Sequence, residues 1–188
     1  MGYRSQVAYV IQFKEPYRAQ SDKPEHSDQL EVELEKEYAK SLFYTFLAES
    51  KAKQETMKAW DDEVKDSKYL NTGEQVKWGG ALEVDYKNQL IKFRAEDVKW
   101  YDHYPDVDCH NAMVGLAEEY INGDKPSLSG NTKLDDPSLE RDNSEYMSYT
   151  YVRIGENSDD IETRGGGTGE TDDYIYPVTT MQWDLPEP

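Results

Sequence analysis

Val7-Ala8-Tyr9-Val10-Ile11-Gln12-Phe13 is the stretch from which the rest of the chain can be ordered. It is apolar, rich in β-formers, and closed by Lys14-Glu15-Pro16. Too short for an independent helix, it reads as the central strand of a sheet. Downstream, beyond a polar loop from Gln20 to Ser27, Asp28 stands where it could cap a helix. The apolar positions of that helix, Leu34, Tyr38, Leu42, Phe46 and Leu47, recur at helical spacing. Polar residues from Ser50 to Thr56 then give way to Met57, Trp60 and Val64, the spacing of a second helix or of a bent continuation.

Leu82 to Phe93 alternates on either side of Lys87-Asn88 and predicts a β-hairpin whose return strand runs toward Trp100. Pro105 suits the first turn of a helix, Val107, Val114, Ala117 and Ile121 form its buried stripe, and Asn122-Gly123 stops it. Lys125 to Ser144 is polar, with Pro126, Gly130 and Pro137, and reads as a long surface excursion. Glu145 to Ile154 alternates again, turns through Gly155 to Ser158, and returns through Asp160 to Arg164 as a second hairpin. A flexible glycine-rich link then leads to Tyr174–Trp183, a last strand that Pro177 confines to a sheet edge.

Helices grouped between antiparallel strands predict a single α+β domain, a mainly antiparallel sheet with two or three helices on one face, rather than a doubly wound parallel sheet. The domain is expected over residues 1–160, with 161–188 as an acidic, glycine-rich extension. At 188 residues the chain can bury a substantial core, and its 15 tyrosines and four tryptophans make that core aromatic. Cys109 is the single cysteine, so no internal disulfide forms; with no secretory signal read at the N-terminus, a reducing cytoplasm is the expected setting. No apolar run approaches the ~20 residues that cross a bilayer, and a net charge of −18 opposes anionic headgroups.

The charge is unevenly placed. Residues 1–100 hold 19 acids against 16 bases, whereas residues 101–188 hold 20 acids against five bases. Acid needed only for solubility would be spread over the surface; segregation favours a local cause, an acidic tail or a surface facing a partner. The competing reading is a solvated loop.

Three stretches carry a resemblance: Gly2-Tyr3-Arg4-Ser5-Gln6-Val7, Asp97 to Val107 (DVKWYDHYPDV), and Tyr151 to Glu162 (YVRIGENSDDIE). Together they resemble a family of small tailed-phage proteins that open Gly-Tyr-Arg-Ser, an acid, then Val. Gln6 stands here in place of the acid, and the segment after Gly165 departs from the family pattern. The resemblance implies a phage origin and a role inside an infected bacterium; it brings no catalytic residues.

Motifs that carry chemistry are sparse. His103, Asp106, Asp108, Cys109 and His110 crowd together, but zinc sites want paired Cys or His at fixed spacing. Acids in the first turn of a helix are explained by its dipole, and Cys109 by packing. Gly155 to Gly166 does not match a calcium loop, although Asp159, Asp160 and Glu162 could form a weak surface site. Gly165 to Gly169 lacks the strand–helix context and the lysine of a phosphate loop, and Glu170, Asp172 and Asp173 would repel phosphate. No nucleophile with a local base is evident, so no catalytic residue, metal ligand or cofactor is assigned and an enzyme is not expected.

Carboxylates on packed strands or a helix repeat at roughly 5 to 6.5 Å and can approximate the phosphates along one strand of a duplex. The expectation is therefore an acidic phage inhibitor that occupies the basic groove of a bacterial nucleic-acid-handling or immune complex, of the anti-CRISPR or anti-restriction type. It would act as a monomer or homodimer without itself binding nucleic acid or membrane. The carboxylates assigned to that contact are Asp159, Asp160, Glu162, Glu170, Asp172 and Asp173, with Asp135, Asp136, Glu140 and Asp142 as a second patch. The alternatives are a phage accessory or structural protein that presents Tyr146, Tyr149, Tyr151, Tyr174 and Tyr176 at an interface, and a small carboxylate- or metal-dependent enzyme.

Overall fold

The computed structural model describes residues 4–16, 26–56, 81–125, 141–156 and 160–167. These form one five-stranded antiparallel sheet with helices, the α+β class expected from the element order. Strand β1 (Ser5–Phe13) lies at its centre, followed in the chain by helix α1 (His26–Thr56) and the hairpin β2 (Ala81–Asp85) and β3 (Leu90–Val98). Helix α2 (Pro105–Ile121), a single turn α3 (Asn143–Tyr146), and the hairpin β4 (Met147–Ile154) and β5 (Ile161–Gly167) complete it. The strand order is β2-β3-β1-β4-β5.

Side chains alternate across β1, and both of its faces are buried. Val7, Tyr9, Ile11 and Phe13 join the main core with Tyr38, Leu42 and Phe46 of α1 and Val107, Val114 and Ala117 of α2. Its rings interlock: Tyr9 stacks on Phe93 at 5.2 Å, and Phe13 meets Phe43 at 5.5 Å and Phe46 at 5.3 Å. Such pairs are worth about 0.5–1.5 kcal/mol each beyond the area they bury. Ala8 and Val10 face the other way and form a second cluster with Leu90, Val152 and Ile154, drawn from strands alone.

Several boundaries differ from the sequence reading. Helix α1 starts at His26, so position 28 falls within its first turn instead of capping it. It also runs through Ser50–Thr56, because Lys, Ala, Gln and Glu sustain a helix without an apolar stripe. Met57, Trp60 and Val64 lie outside the described residues, as does Tyr174–Trp183. In the β2–β3 hairpin the register Val84↔Ile91 and Asp85↔Leu90 is the one a link at Lys87-Asn88 demands, but the left-handed residue is Gln89, at φ 54°, not Asn88. The Asp85 carboxylate explains this: it accepts the backbone N–H groups of Lys87 and Asn88, each at 3.0 Å, and the Asn88 side-chain amide at 2.7 Å.

The glycine run after Arg164 is not the flexible link expected. Gly165 to Gly167 complete β5 and pair with Thr150, Tyr149 and Ser148 of β4, so residues 161–167 belong to the sheet. Glycine is needed at the end of this strand because Gly167 has φ +89° and a Cβ there would overlap the Met147 carbonyl. Asn143 is buried, and so the surface excursion ends before α3.

Candidate functional site

The β4–β5 hairpin carries the only part of the first acidic patch that lies among the described residues, Asp160 and Glu162. The backbone of Gly155 donates to the carbonyl of Asp160 at 2.7 Å and closes the turn. A Cβ at position 155 would collide with the Asp160 carboxylate, so glycine allows that carboxylate to fold back over the chain. There it meets Arg153 in a two-point contact, Nη2 to Oδ1 at 2.9 Å and Nη1 to Oδ2 at 3.2 Å.

Arg153 Nε also donates to Glu162 at 3.2 Å, and Glu162 pairs in turn with Arg164 at 3.0 Å. Arg164 lies 4.6 Å over the Tyr151 ring and 3.6 Å from Glu118 of α2, which accepts the Tyr149 hydroxyl at 3.0 Å. The result is a continuous chain, Asp160–Arg153–Glu162–Arg164–Glu118–Tyr149, that fastens the edge strand to the helix. Burial opposes the Arg153 charge, but the hydrogen bonds it donates to Asp160 and Glu162 outweigh this and hold its pKa above the ordinary value. Burial, reinforced by the Glu118 hydrogen bond, pushes the Tyr149 phenol up to about 12.

Asp142 is exposed and caps α3 by accepting the Ser144 N–H at 2.9 Å. Asp159, Glu170, Asp172, Asp173, Asp135, Asp136 and Glu140 lie outside the described residues. The tyrosines offered as an interface, Tyr146, Tyr149 and Tyr151, are core residues: Tyr146 ends α3 and packs on Tyr38, and β4 sits beside the central strand with Tyr149 and Tyr151 in the main core. Tyr174 and Tyr176 lie outside the described residues.

Two buried polar centres went unread in the sequence. Glu35 and Arg141 pair at 3.6 Å with side chains only 8% and 9% exposed. The Tyr146 hydroxyl donates to Glu35, Arg141 stacks over Tyr38, and the Tyr38 hydroxyl donates to Asn143 at 3.1 Å. A signal was present: Glu35 stands three before Tyr38 and seven before Leu42, on the buried stripe of α1, where a carboxylate needs a partner. In the second centre the Tyr9 hydroxyl and His110 Nδ1 share a 2.8 Å hydrogen bond within a shell of Phe93 and Trp100. Burial drops the His110 pKa to about 3 and keeps the ring neutral.

His110 and Cys109 are buried whereas His103 is exposed, and Asp108 accepts the backbone N–H of His103 at 3.0 Å. No group of three His, Cys, Asp or Glu side chains among the described residues is arranged to hold a metal. No described helix is long and apolar enough to cross a membrane.

No family model, no curated protein and no solved structure matches the chain.

Proposed function

We propose that this chain is an acidic binding protein that engages the basic groove of a nucleic-acid-handling complex by charge, without chemistry. The observation that carries this reading is the fate of the cations in the acid-rich half. Of the five bases in residues 101–188, Lys125, Arg141, Arg153 and Arg164 each hold a carboxylate at 4 Å or less within the chain. They pair with Glu118, Glu119, Asp160 and Glu162 of that half and with Glu35 and Glu49 of the other, which leaves the remaining acids of that half less screened. Such a surface gains from steering and counterion release when it meets a cationic groove.

The resemblance of the Gly2–Val7 opening to tailed-phage proteins supports a bacterial immune or restriction complex as the target, and so an inhibitor acting in the infected cell. The arginine pairing also redistributes the roles of the candidate carboxylates. Asp160 and Glu162 brace the hairpin, while Glu170, Asp172 and Asp173 are the ones to vary when binding is tested.

A tagged chain, incubated with nuclease-treated bacterial lysate, should capture a DNA- or RNA-handling complex at low salt and release it at high salt. Replacing Glu170, Asp172 and Asp173 together with Lys should abolish capture at unchanged thermal stability. Capture that resists salt and survives the triple replacement would discard the reading. It would favour an accessory protein, a reading supported by the stacked Tyr44 and Tyr86 rings, each 47% exposed.

A further inference from the structure

We propose that β5 is the seam of a symmetric homodimer, pairing antiparallel with β5 of a second copy so that two sheets join edge to edge. β5 closes the order β2-β3-β1-β4-β5, and no strand lies along its outer side among the described residues. An open strand edge is a template for another chain, commonly blunted by proline, lysine or a bulge where pairing is to be avoided. Ile161–Gly167 contains neither residue, and its register with β4 runs without a shift.

The ladder decides which backbone groups face outward. Hydrogen-bonded and non-hydrogen-bonded pairs alternate along antiparallel strands. Gly155 donates to Asp160, so Glu162 and Arg164 are the residues that bond β4, while Ile161, Thr163 and Gly165 turn their N–H and C=O groups away from it. A two-fold axis at Thr163 joins these groups: Thr163 faces its own copy, and Ile161 faces Gly165 of the second copy.

The side chains select that axis. It sets Glu162 opposite Arg164 of the second copy, twice over, in non-hydrogen-bonded pairs whose Cα atoms stand about 4.5 Å apart. Moving the axis by one residue sets Glu162 against Glu162 or Arg164 against Arg164, and moving it by two leaves Glu162 opposite Asp160 or Arg164 opposite Gly166. Glu162 and Arg164 are 40% and 33% exposed, so both reach the seam. Ile161 is 54% exposed, the one exposed large apolar side chain among the described strands, and Gly165 opposite it has no side chain to compete for the space. The chain Asp160–Arg153–Glu162–Arg164–Glu118 then continues from one copy into the other. The seam uses none of Glu170, Asp172 or Asp173, so failure of either reading leaves the other standing.

The test is the molar mass of the full chain by sedimentation equilibrium over the micromolar range. It is run at about 0.15 M salt, where a Debye length of about 8 Å screens the net charge of −18 on each copy. A reversible monomer–dimer equilibrium is expected. Thr163 is exposed and lies on the axis, so Thr163→Lys and Thr163→Asp, each with an unchanged circular dichroism spectrum, should weaken the dimer by about tenfold or more, and their equimolar mixture should restore it. Thr163→Cys should crosslink on oxidation, because a hydrogen-bonded pair sets its Cα atoms about 5.5 Å apart; Tyr104→Cys, equally exposed to solvent, should not, and Cys109 is buried. A monomer at every concentration, as when another segment of this chain holds the edge, would overturn the proposal. So would a dimer indifferent to Thr163→Lys, a mixture no more dimeric than its components, or equal crosslinking of the two cysteine variants.

Discussion

The acid-rich half and the end of β1, where Lys14, Lys36 and Lys87 gather, handle charge in opposite ways. On the β4–β5 hairpin and around α3, arginines are buried or half-buried and bound to carboxylates, so removing one strands its partner. At the end of β1, Lys14, Lys36 and Lys87 are exposed, and among the described residues only Lys36 has an ion pair, with Glu33 at 3.6 Å, so removing them costs the fold little. Charge therefore serves architecture in the first region and faces solvent in the second.

The comparison is broken most decisively at Arg141. Arg141→Ala should destabilise the chain by about 3–5 kcal/mol, because it leaves Glu35 in the interior without its cation. Urea unfolding measures this, and a loss below about 1 kcal/mol would mean the pair is not structural. Next comes the rim: Arg153→Ala should cost about 1 kcal/mol, since Arg153 is 22% exposed and its partners Asp160 and Glu162 are 42% and 40% exposed. That cost should shrink in molar salt, whereas the Arg141 cost should not.

A smaller, pH-dependent effect is expected at Glu49, which accepts the Tyr120 hydroxyl at 2.6 Å and pairs with Lys125. Partial burial raises its pKa, but the hydrogen bonds from Lys125 and Tyr120 more than offset this and hold it below the ordinary 4.5. A carboxyl depressed by folding contributes stability above its unfolded pKa and loses it as pH falls through the folded one. Glu49→Gln should therefore flatten the stability profile below pH 4.5 and leave its shape above that pH unchanged, as thermal melts across the acid range would show. At the bottom of the scale, Lys14→Glu with Lys87→Glu should stay within about 0.5 kcal/mol of the parent, as exposed substitutions do.

What could be read from the sequence followed the range of the signal. Val7–Phe13, the stripe Val107–Ala117 and both hairpins are local patterns with one physical solution, and the fold class follows from their order. The glycine run at 165–167 misled because composition suggests freedom, while close approach to the β4 backbone is a tertiary fact. The carboxylates show the same limit. Asp160 and Glu162 looked like a surface for a partner, and only the register Arg153↔Glu162 and Tyr151↔Arg164 brings two arginines beside them. Glu35 was hidden for the converse reason: its partner Arg141 is more than a hundred residues away in sequence.

The central strand also sets the pace at which the chain can mature. β1 is synthesised first, yet Phe13 pairs with Met147, roughly 130 residues later. At about 5–20 residues per second that partner is on the order of ten seconds behind on the ribosome. Until it arrives, β1 can pair with β3 on one side, but the edge that β4 will occupy stays open and can template other chains. Closing that edge is thus the step on which the order of synthesis bears most, because β1 and β4 are neighbours in the sheet but far apart in the chain.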